Sequence, residues 1–178
     1  MTLIMSCSAA DKGGEKDYRV VDMSKMQQES VEIDKLFDNK KYIILDDSKD
    51  FYPARIEDVL VRGNRLYIHS YMRRNSKLLV FDLDGNPIMS VGAMGKAENE
   101  YLDINGYDIA PNGDICINDL LGRKLLTFDK DGNFIKSNRD IPTDIYHIKL
   151  IEDGKYLCGL TPWNVTEGKK DLILLDIK

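Results

Sequence analysis

The 178-residue sequence is poor in several residues that would direct attention to a particular chemistry. It has two histidines, three cysteines and one tryptophan, and its 25 basic residues are scattered among 30 acidic ones, for a net charge of −5. Nucleic-acid binding requires clustered lysine and arginine, which this distribution does not supply. No segment approaches the roughly 20 consecutive apolar residues of a membrane-spanning helix. With 43% hydrophobic and 31% charged residues, the composition is typical of one ordinary globular domain.

The sequence contains a repeated segment. The segment KLLVFDLDGNPI at residues 77–88 returns as KLLTFDKDGNFI at residues 124–135, and a shortened copy, LILLD, occupies residues 172–176. The aspartates of the three copies, Asp82, Asp129 and Asp176, are spaced 47 residues apart. A fixed period of this length indicates a repeat fold.

Each copy has the pattern of a β-hairpin. Apolar side chains alternate along the first half of the segment, as in a strand that shows opposite faces in turn. Asp84-Gly85 and Asp131-Gly132 then supply a tight turn, because glycine takes positive φ without steric cost. The same reasoning along the chain predicts eleven strands in the repeats, at residues 56–61, 66–71, 78–83, 88–91, 106–110, 115–118, 124–129, 134–137, 146–151, 155–160 and 172–177.

These strands predict an all-β fold, a β-propeller with about three four-stranded antiparallel blades, the third lacking its last strand. The blades are expected at residues 51–95, 96–142 and 143–178. A β-sandwich of short strands is the alternative, but it does not explain the 47-residue period. Three blades do not close a ring, so we expect either the N-terminal half of a longer six-bladed protein or a homodimer that completes the propeller.

The second copy carries a family resemblance. GDICIND at residues 113–119, followed by Arg123, Leu125, Phe128-Asp129, Gly132 and Phe134, resembles the NHL-type propeller repeat. Residues 31–178 resemble the six-bladed β-propeller lipoproteins of gut Gram-negative anaerobes. VGAMG at residues 91–95 and Glu100-Tyr101 match the end of a family blade, whereas Ala97-Glu98-Asn99 replaces the family's Gly-Pro-Gly. The resemblance implies architecture and a cell-envelope location more than chemistry.

The first 50 residues are expected to lie outside the blades. The segment LIMSC at residues 3–7 resembles the end of a bacterial lipoprotein signal, which makes Cys7 the candidate lipidation site, and residues 8–17 read as a flexible tether. Residues 18–50 are then a separate segment with a strand at 18–23, a short helix at 31–37 and a strand over Lys41 to Leu45. The alternative is a disordered tail with an incidental cysteine.

Few residues in the sequence indicate a binding or catalytic site. The candidates for weak ligand contact are Trp163 in a loop, His69 in a strand, and Asp119, for which a cross-turn ion pair with Arg123 is the simpler interpretation. The DxDGN sequences at residues 82–86 and 129–133 lack the spacing of a calcium loop and are explained by turn formation. We identify no catalytic, metal-binding or cofactor-binding residue and predict no cofactor.

Cys116 and Cys158 fall in predicted strands. Superposing their repeats on Gly113 and Gly154 places them on opposite faces of the sheet, so we expect no disulfide between them and interpret both as small buried apolar residues.

The function favoured is a non-catalytic binding or scaffold module of the bacterial cell envelope, periplasmic or anchored in the outer membrane by a lipid, with a glycan, peptide or protein as ligand. The alternatives are a propeller hydrolase or lyase, whose catalytic residues would lie mostly in further blades, and a truncated fragment without activity of its own. Four or more acidic and histidine side chains converging on the axial channel would favour an enzyme.

Overall fold

The computed structural model describes residues 41–48, 50–72, 75–142, 145–152, 155–160 and 172–176. The chain divides into two compact units, Met1–Lys41 and Tyr42–Lys178, and the second contains all the strands described below. No helix among the described residues is long and apolar enough to cross a bilayer.

In the part of the chain that the structure describes, eleven antiparallel strands form three separate sheets. Their order is β1-β2-β3-β4 in the first, β5-β6-β7-β8 in the second and β11-β10-β9 in the third. The strands are β1 (Ile56–Arg62), β2 (Arg65–Met72), β3 (Asn75–Asp82), β4 (Pro87–Val91), β5 (Gly106–Ile109), β6 (Ile115–Asp119), β7 (Lys124–Phe128), β8 (Phe134–Asn138), β9 (Ile145–Glu152), β10 (Lys155–Leu160) and β11 (Leu172–Asp176). Each sheet is a meander of sequence-adjacent strands, which confirms the predicted propeller blades.

One predicted strand is absent. The segment from Lys41 to Leu45 is not a strand and pairs with none of the described strands. Just after it, the Asp46 N–H donates to the Gly85 carbonyl at 3.0 Å. The apolar residues of the segment are typical of a strand, but a strand also needs a neighbouring strand, and this segment lies against the turn at Gly85. Leu45 packs on the first blade, whereas Tyr42 and Ile44 are exposed.

The DxDGN turns are built alike in the first and second blades. Asp82 Oδ1 accepts the N–H groups of Asp84 and Asn86 at 2.9 Å, and its Oδ2 accepts the Asn86 side-chain amide at 2.8 Å. Asp129 makes the corresponding three bonds in the second blade. These bonds lower the pKa of both carboxyl groups, with the side-chain amide of the turn asparagine as the largest cause. The aspartates are turn-forming residues, as the sequence indicates.

A lysine at the start of the third strand anchors the loop that leads into its own blade. Lys77 Nζ donates to the Asp50 carbonyl at 3.4 Å, and Lys124 Nζ donates to the Ala97 carbonyl at 2.8 Å. Both bonds span 27 residues, so they are the same contact in successive repeats. Lys124 adds a bond to the Glu98 carbonyl at 3.2 Å and is almost completely buried.

Apolar side chains from facing sheets fill the seams between blades. The core between the first two blades contains Tyr67, Leu78, Val80, Val91, Tyr101, Ile104, Tyr107, Ile109, Ile115, Ile117, Leu126 and Phe128. The core between the second and third contains Cys116, Leu125, Ile145, Ile148, Tyr156 and Cys158. On its other face the first blade buries Leu66, Ile68, Leu79 and Phe81 under Leu45 and Phe51.

Cys116 and Cys158 are both free and buried, as expected of small apolar residues. They belong to one core cluster, between the second and third blades. Where two neighbouring blades pack together, one face of the first blade of the pair meets the opposite face of the next. Cysteines predicted on opposite faces of the second and third blades therefore lie in the same core between them. Burial raises the pKa of Cys116 to about 12 and that of Cys158 to about 11, which keeps both thiols protonated.

Candidate functional site

A cavity of about 630 Å³ opens where the three blades converge. Its volume lies within the range of small-molecule sites. The first strand of each blade contributes to its wall, together with β2 and the loop before β5. The lining residues are Arg55, Glu57, Asp58, His69, Tyr71, Asp103, Ile104, Asn105, Gly106, Tyr107, Tyr146, His147, Ile148 and Lys149.

Equivalent positions of the repeat supply different side chains to this wall. Asp58, Gly106 and His147 lie at one position of the repeat, because each is opposite the second-strand residue that pairs with Leu78, Leu125 or Leu172, and these leucines are 47 residues apart. All of Asp58, Gly106 and His147 line the cavity. The fold therefore presents the same backbone position three times, and the side chain differs each time.

His69 is a buried ionisable group of the cavity wall. It pairs with Asp58 in the β1–β2 register and is 9% exposed. Its Nε2 lies 2.8 Å from Ser76 Oγ, and its ring meets the Tyr107 ring edge-on at 6.5 Å. Burial lowers the pKa of His69 more than the negative charges of Asp103, Glu57 and Asp58 raise it. The imidazole is therefore neutral at pH 7.

Asp103 enters the cavity on a loop held by Asp119. The Asp119 carboxylate is fully buried and accepts the N–H groups of Leu102 at 2.9 Å, Asp103 at 3.3 Å and Gly122 at 2.8 Å. Among the described residues Asp119 makes no ion pair with Arg123, because these backbone donors satisfy its oxygens. Asp119 thus acts on the cavity by positioning the loop and does not line it.

The Asp119 carboxylate needs a glycine beside it. A Cβ at position 122 would lie 2.0 Å from Asp119 Oδ2, so the close approach excludes any side chain there. The sequence pair Asp119 and Gly122 is the signal that could have identified this arrangement. It is easily read as an ordinary turn.

The rim of the first blade carries a stacked ion pair. The Arg55 guanidinium contacts the Glu57 carboxylate and lies 5.2 Å from the centre of the Tyr71 ring. The Tyr71 N–H also donates to the Arg55 carbonyl at 2.8 Å. Arg55 is therefore already engaged by an anion and an aromatic face of its own blade.

The third blade is joined to the second by polar bonds beside the cavity. Asp108 Oδ2 accepts the Leu150 N–H at 2.7 Å, and Lys149 Nζ lies 3.9 Å from Asp108 Oδ1. The Asn118 amide donates to the Ile145 carbonyl at 3.0 Å. Gly106 lets β5 approach β9 closely, since a Cβ there would meet the Tyr146 carbonyl at 3.3 Å. These contacts fix β9 at the cavity wall.

Of the residues identified from the sequence, His69 lines the cavity and Asp119 supports it. Trp163 and Cys7 lie outside the described residues. In the part of the chain that the structure describes, no three histidine, cysteine, aspartate or glutamate side chains converge closely enough to hold a metal ion. Sequence reasoning missed Asp58, Asp103 and the tyrosines.

The family model of DUF5128, described as a 6-bladed beta-propeller, matches residues 9–176. The chain belongs to this family. No curated protein matches the chain. The sheets, the converging first strands and the DUF5128 match together establish the fold: the described residues form three blades of a six-bladed type of propeller.

Solved structures similar to this DUF5128 chain include a Bacteroides fragilis NCTC 9343 protein named as exported, with 21% identity over 76% of this chain and a TM-score of 0.66. A streptogramin B lyase has 18% identity over 68% of this chain and a TM-score of 0.46. A Bacteroides caccae protein of unknown function has 10% identity over 63% and a TM-score of 0.37. The chain covers 38%, 40% and 41% of these three chains, respectively.

Proposed function

We propose that the chain is a non-catalytic ligand-binding module of the bacterial cell envelope, and that the cavity between the three blades is its binding site. The observation that carries this proposal is the cavity itself. It has the volume of a ligand site and a wall in which aromatic rings alternate with polar side chains that fix orientation. Its wall comes from every blade, so the fold holds those side chains in a fixed arrangement.

Ligand-observed NMR with a panel of short oligosaccharides and short peptides tests this proposal. Tyr71→Ala combined with Tyr146→Ala removes two lining rings, and we expect the affinity of any panel ligand to fall by about tenfold or more. Tyr52→Ala is the matched control, because Tyr52 is an exposed tyrosine outside the cavity. Equal binding to the cavity variant and the control would contradict the proposal.

One observation favours the alternative of an enzyme. Five acidic and histidine side chains line the cavity, namely Glu57, Asp58, His69, Asp103 and His147, which satisfies the number expected of a catalytic channel. Their arrangement is less favourable, because Glu57 is engaged by Arg55 and His69 by Ser76. Mass spectrometry of the same panel tests this alternative: product formation that is lost in His69→Gln would favour a hydrolase or lyase.

For location, we propose attachment to the envelope through a lipid on Cys7 and an NHL-like lipoprotein identity for the whole family member. The supporting facts are the LIMSC sequence and the name of the Bacteroides fragilis neighbour as exported. Labelled palmitate should be incorporated by the wild type in a Gram-negative host and not by Cys7→Ser. Equal labelling of both proteins would contradict the lipidation site.

For partners, we propose that a second copy of the chain closes the ring, since two copies would supply the six blades of the family. Both end sheets expose apolar side chains. Val59 and Val61 are 46% and 58% exposed on the first blade, and Leu172 and Leu174 are 56% and 63% exposed on the third. A two-fold axis would place each first-blade face against a third-blade face of the other copy.

Size-exclusion chromatography with light scattering tests closure by a second copy. We expect a two-chain particle for the wild type and a single chain for Leu172→Lys combined with Leu174→Lys. Leu121→Lys is the control, because Leu121 is 65% exposed in a turn away from these faces. A monomeric wild type would contradict the proposal.

A further inference from the structure

The two cations in the cavity wall are already engaged. Arg55 contacts Glu57 and lies over Tyr71, and Lys149 lies 3.9 Å from the buried carboxylate of Asp108. Each cation therefore has an anion of its own. What remains uncompensated in the wall is negative charge.

Two carboxylates have no cation beside them. Asp58 Oδ1 accepts the Val59 N–H at 2.9 Å, and Asp103 Oδ1 accepts the Ile104 N–H at 2.8 Å. Within the described residues, neither makes an ion pair, and the second oxygen of each has no hydrogen-bond partner. Low-dielectric walls concentrate the field of such charges inside a cavity.

His69 adds a ring nitrogen with no partner. The side chain is about nine-tenths buried and lines the cavity. Its Nε2 is engaged by Ser76 Oγ, which also receives the Ile104 N–H at 3.3 Å. Its Nδ1 has no hydrogen-bond partner in the described part of the chain. In the tautomer whose Nε2–H donates to Ser76, Nδ1 is an acceptor.

The surrounding wall suits an organic cation better than a metal ion. Tyr71, Tyr107 and Tyr146 line the cavity, and aromatic rings attract organic cations through their faces. The carboxylates and His69 do not converge as metal ligands among the described residues. Carboxylates beside tyrosine rings are surroundings that suit an organic cation.

We propose that the cavity binds a primary ammonium group of an organic ligand, with Asp58 and Asp103 supplying negative charge and His69 Nδ1 accepting a hydrogen bond. An ammonium group supplies a positive charge and three N–H donors, and carboxylate oxygens and an imidazole nitrogen accept hydrogen bonds from such donors. This inference rests on the proposed binding function and names its ligand chemistry. The ammonium could be carried by a basic peptide or by an amino sugar.

Pairs of ligands that differ only by acetylation of the amine test the inference. Nα-acetyl-lysine amide is compared with its Nε-acetylated form, and glucosamine with N-acetylglucosamine, by ligand-observed NMR on the full chain. We expect the free amine of at least one pair to bind about tenfold or more tightly than its acetylated partner, as the loss of a charge-assisted hydrogen bond predicts. The advantage should shrink at high salt. The pair that responds identifies the source.

Substitutions in the cavity wall test which residues cause the preference for the free amine. Asp58→Asn combined with Asp103→Asn keeps an oxygen for each backbone N–H but removes the charge, and should abolish the preference for the free amine. Asp46→Asn is the matched control, because Asp46 makes a similar bond, to the Ser48 N–H at 2.9 Å, away from the cavity. His69→Gln should weaken amine binding to a smaller extent.

The outcomes separate this inference from the binding function. Acetylated ligands that bind as tightly as free amines, and still depend on Tyr71 and Tyr146, would overturn the ammonium inference and leave the cavity as the binding site. If no ligand of either pair depends on any cavity residue, the ammonium inference fails. The wider oligosaccharide and peptide panel then decides the binding function separately.

Discussion

The third and fourth strands of the first blade and their counterparts in the second are held by the same hydrogen bonds, whereas their first strands differ. Asp82 and Asp129 make identical turns, and Lys77 and Lys124 anchor the same loop position. β1, by contrast, is largely exposed, while β5 is largely buried between two neighbours. The repeat thus determines the outer half of each blade, and the neighbours determine the environment of its inner strand.

The largest effect on the free energy of unfolding should come from truncating core leucines at equivalent repeat positions. Leu79 and Leu126 are 47 residues apart and both fully buried. Leu126→Ala should lower the free energy of unfolding by about 2–5 kcal/mol, and Leu79→Ala by an amount near the lower end of that range. Leu126 is enclosed by two blades, whereas Leu79 is covered by Leu45 and Phe51, which can move to fill the space. Denaturant unfolding of both variants measures the difference, and equal losses would contradict it.

The second largest effect on stability should come from the two loop-anchoring lysines, and the loss should differ between them. Lys124→Met removes a nearly buried ammonium that donates to two carbonyls, so those carbonyls lose their partners, at a cost of about 1–3 kcal/mol. Lys77→Met removes one long bond at a half-buried position and should cost under about 1 kcal/mol. Burial is the largest cause of the lowered pKa of Lys124. Thermal unfolding of the two variants compares them directly, with Lys96→Met as an exposed control.

His69, on β2 beside the inner strand, should make the stability of the first blade depend on pH near 6.5, well above the range in which the turn aspartates act. Because its pKa is lowered in the folded state, the unfolded chain takes up protons first as the pH falls through the ordinary value of 6.5. Stability is therefore fully present above that value and declines below it. Unfolding free energies at pH values from about 7.5 to about 5 should fall for the wild type and remain flatter for His69→Gln. Identical profiles would show that His69 does not titrate in this window.

Substitution of the turn aspartates should have the smallest effect on stability, and the two variants should agree most closely. Asp82→Ala and Asp129→Ala remove the same three bonds, so the two melting temperatures should fall by similar small amounts. The pKa of each carboxyl is lowered, so its contribution is present above 3.8 and is lost as the pH falls through the folded value. Melting curves recorded on both sides of pH 3.8 check the sign. A large difference between the two variants would show that the repeats are not equivalent here.

The sequence was sufficient for the architecture because the architecture is periodic. The DxDGN turns and the 47-residue interval predicted the hairpins, and the structure places β3–β4 and β7–β8 where those patterns occur. The segment from Lys41 to Leu45 was wrongly assigned as a strand. A short apolar run is typical of a strand, but it does not show whether a partner with free hydrogen-bonding groups lies beside it.

The cavity could not be predicted from a single repeat. Asp58, Gly106 and His147 occupy one repeat position but are unrelated residue types, so no motif connects them. His69 was identified as a candidate because histidine is rare in the chain, and Asp119 for its place beside a turn. Neither reason revealed that Asp119 positions the Asp103 loop, which depends on contacts between residues 16 and 17 positions apart.

The loop-anchoring lysine has a consequence for how such a chain can grow. Its bond joins two points 27 residues apart, within a single 47-residue period. The first and second units therefore each fasten their own leading segment. Tandem duplication of the gene could append a further unit without altering the fastening of the units already present, which leaves selection free to diversify the inner positions one copy at a time.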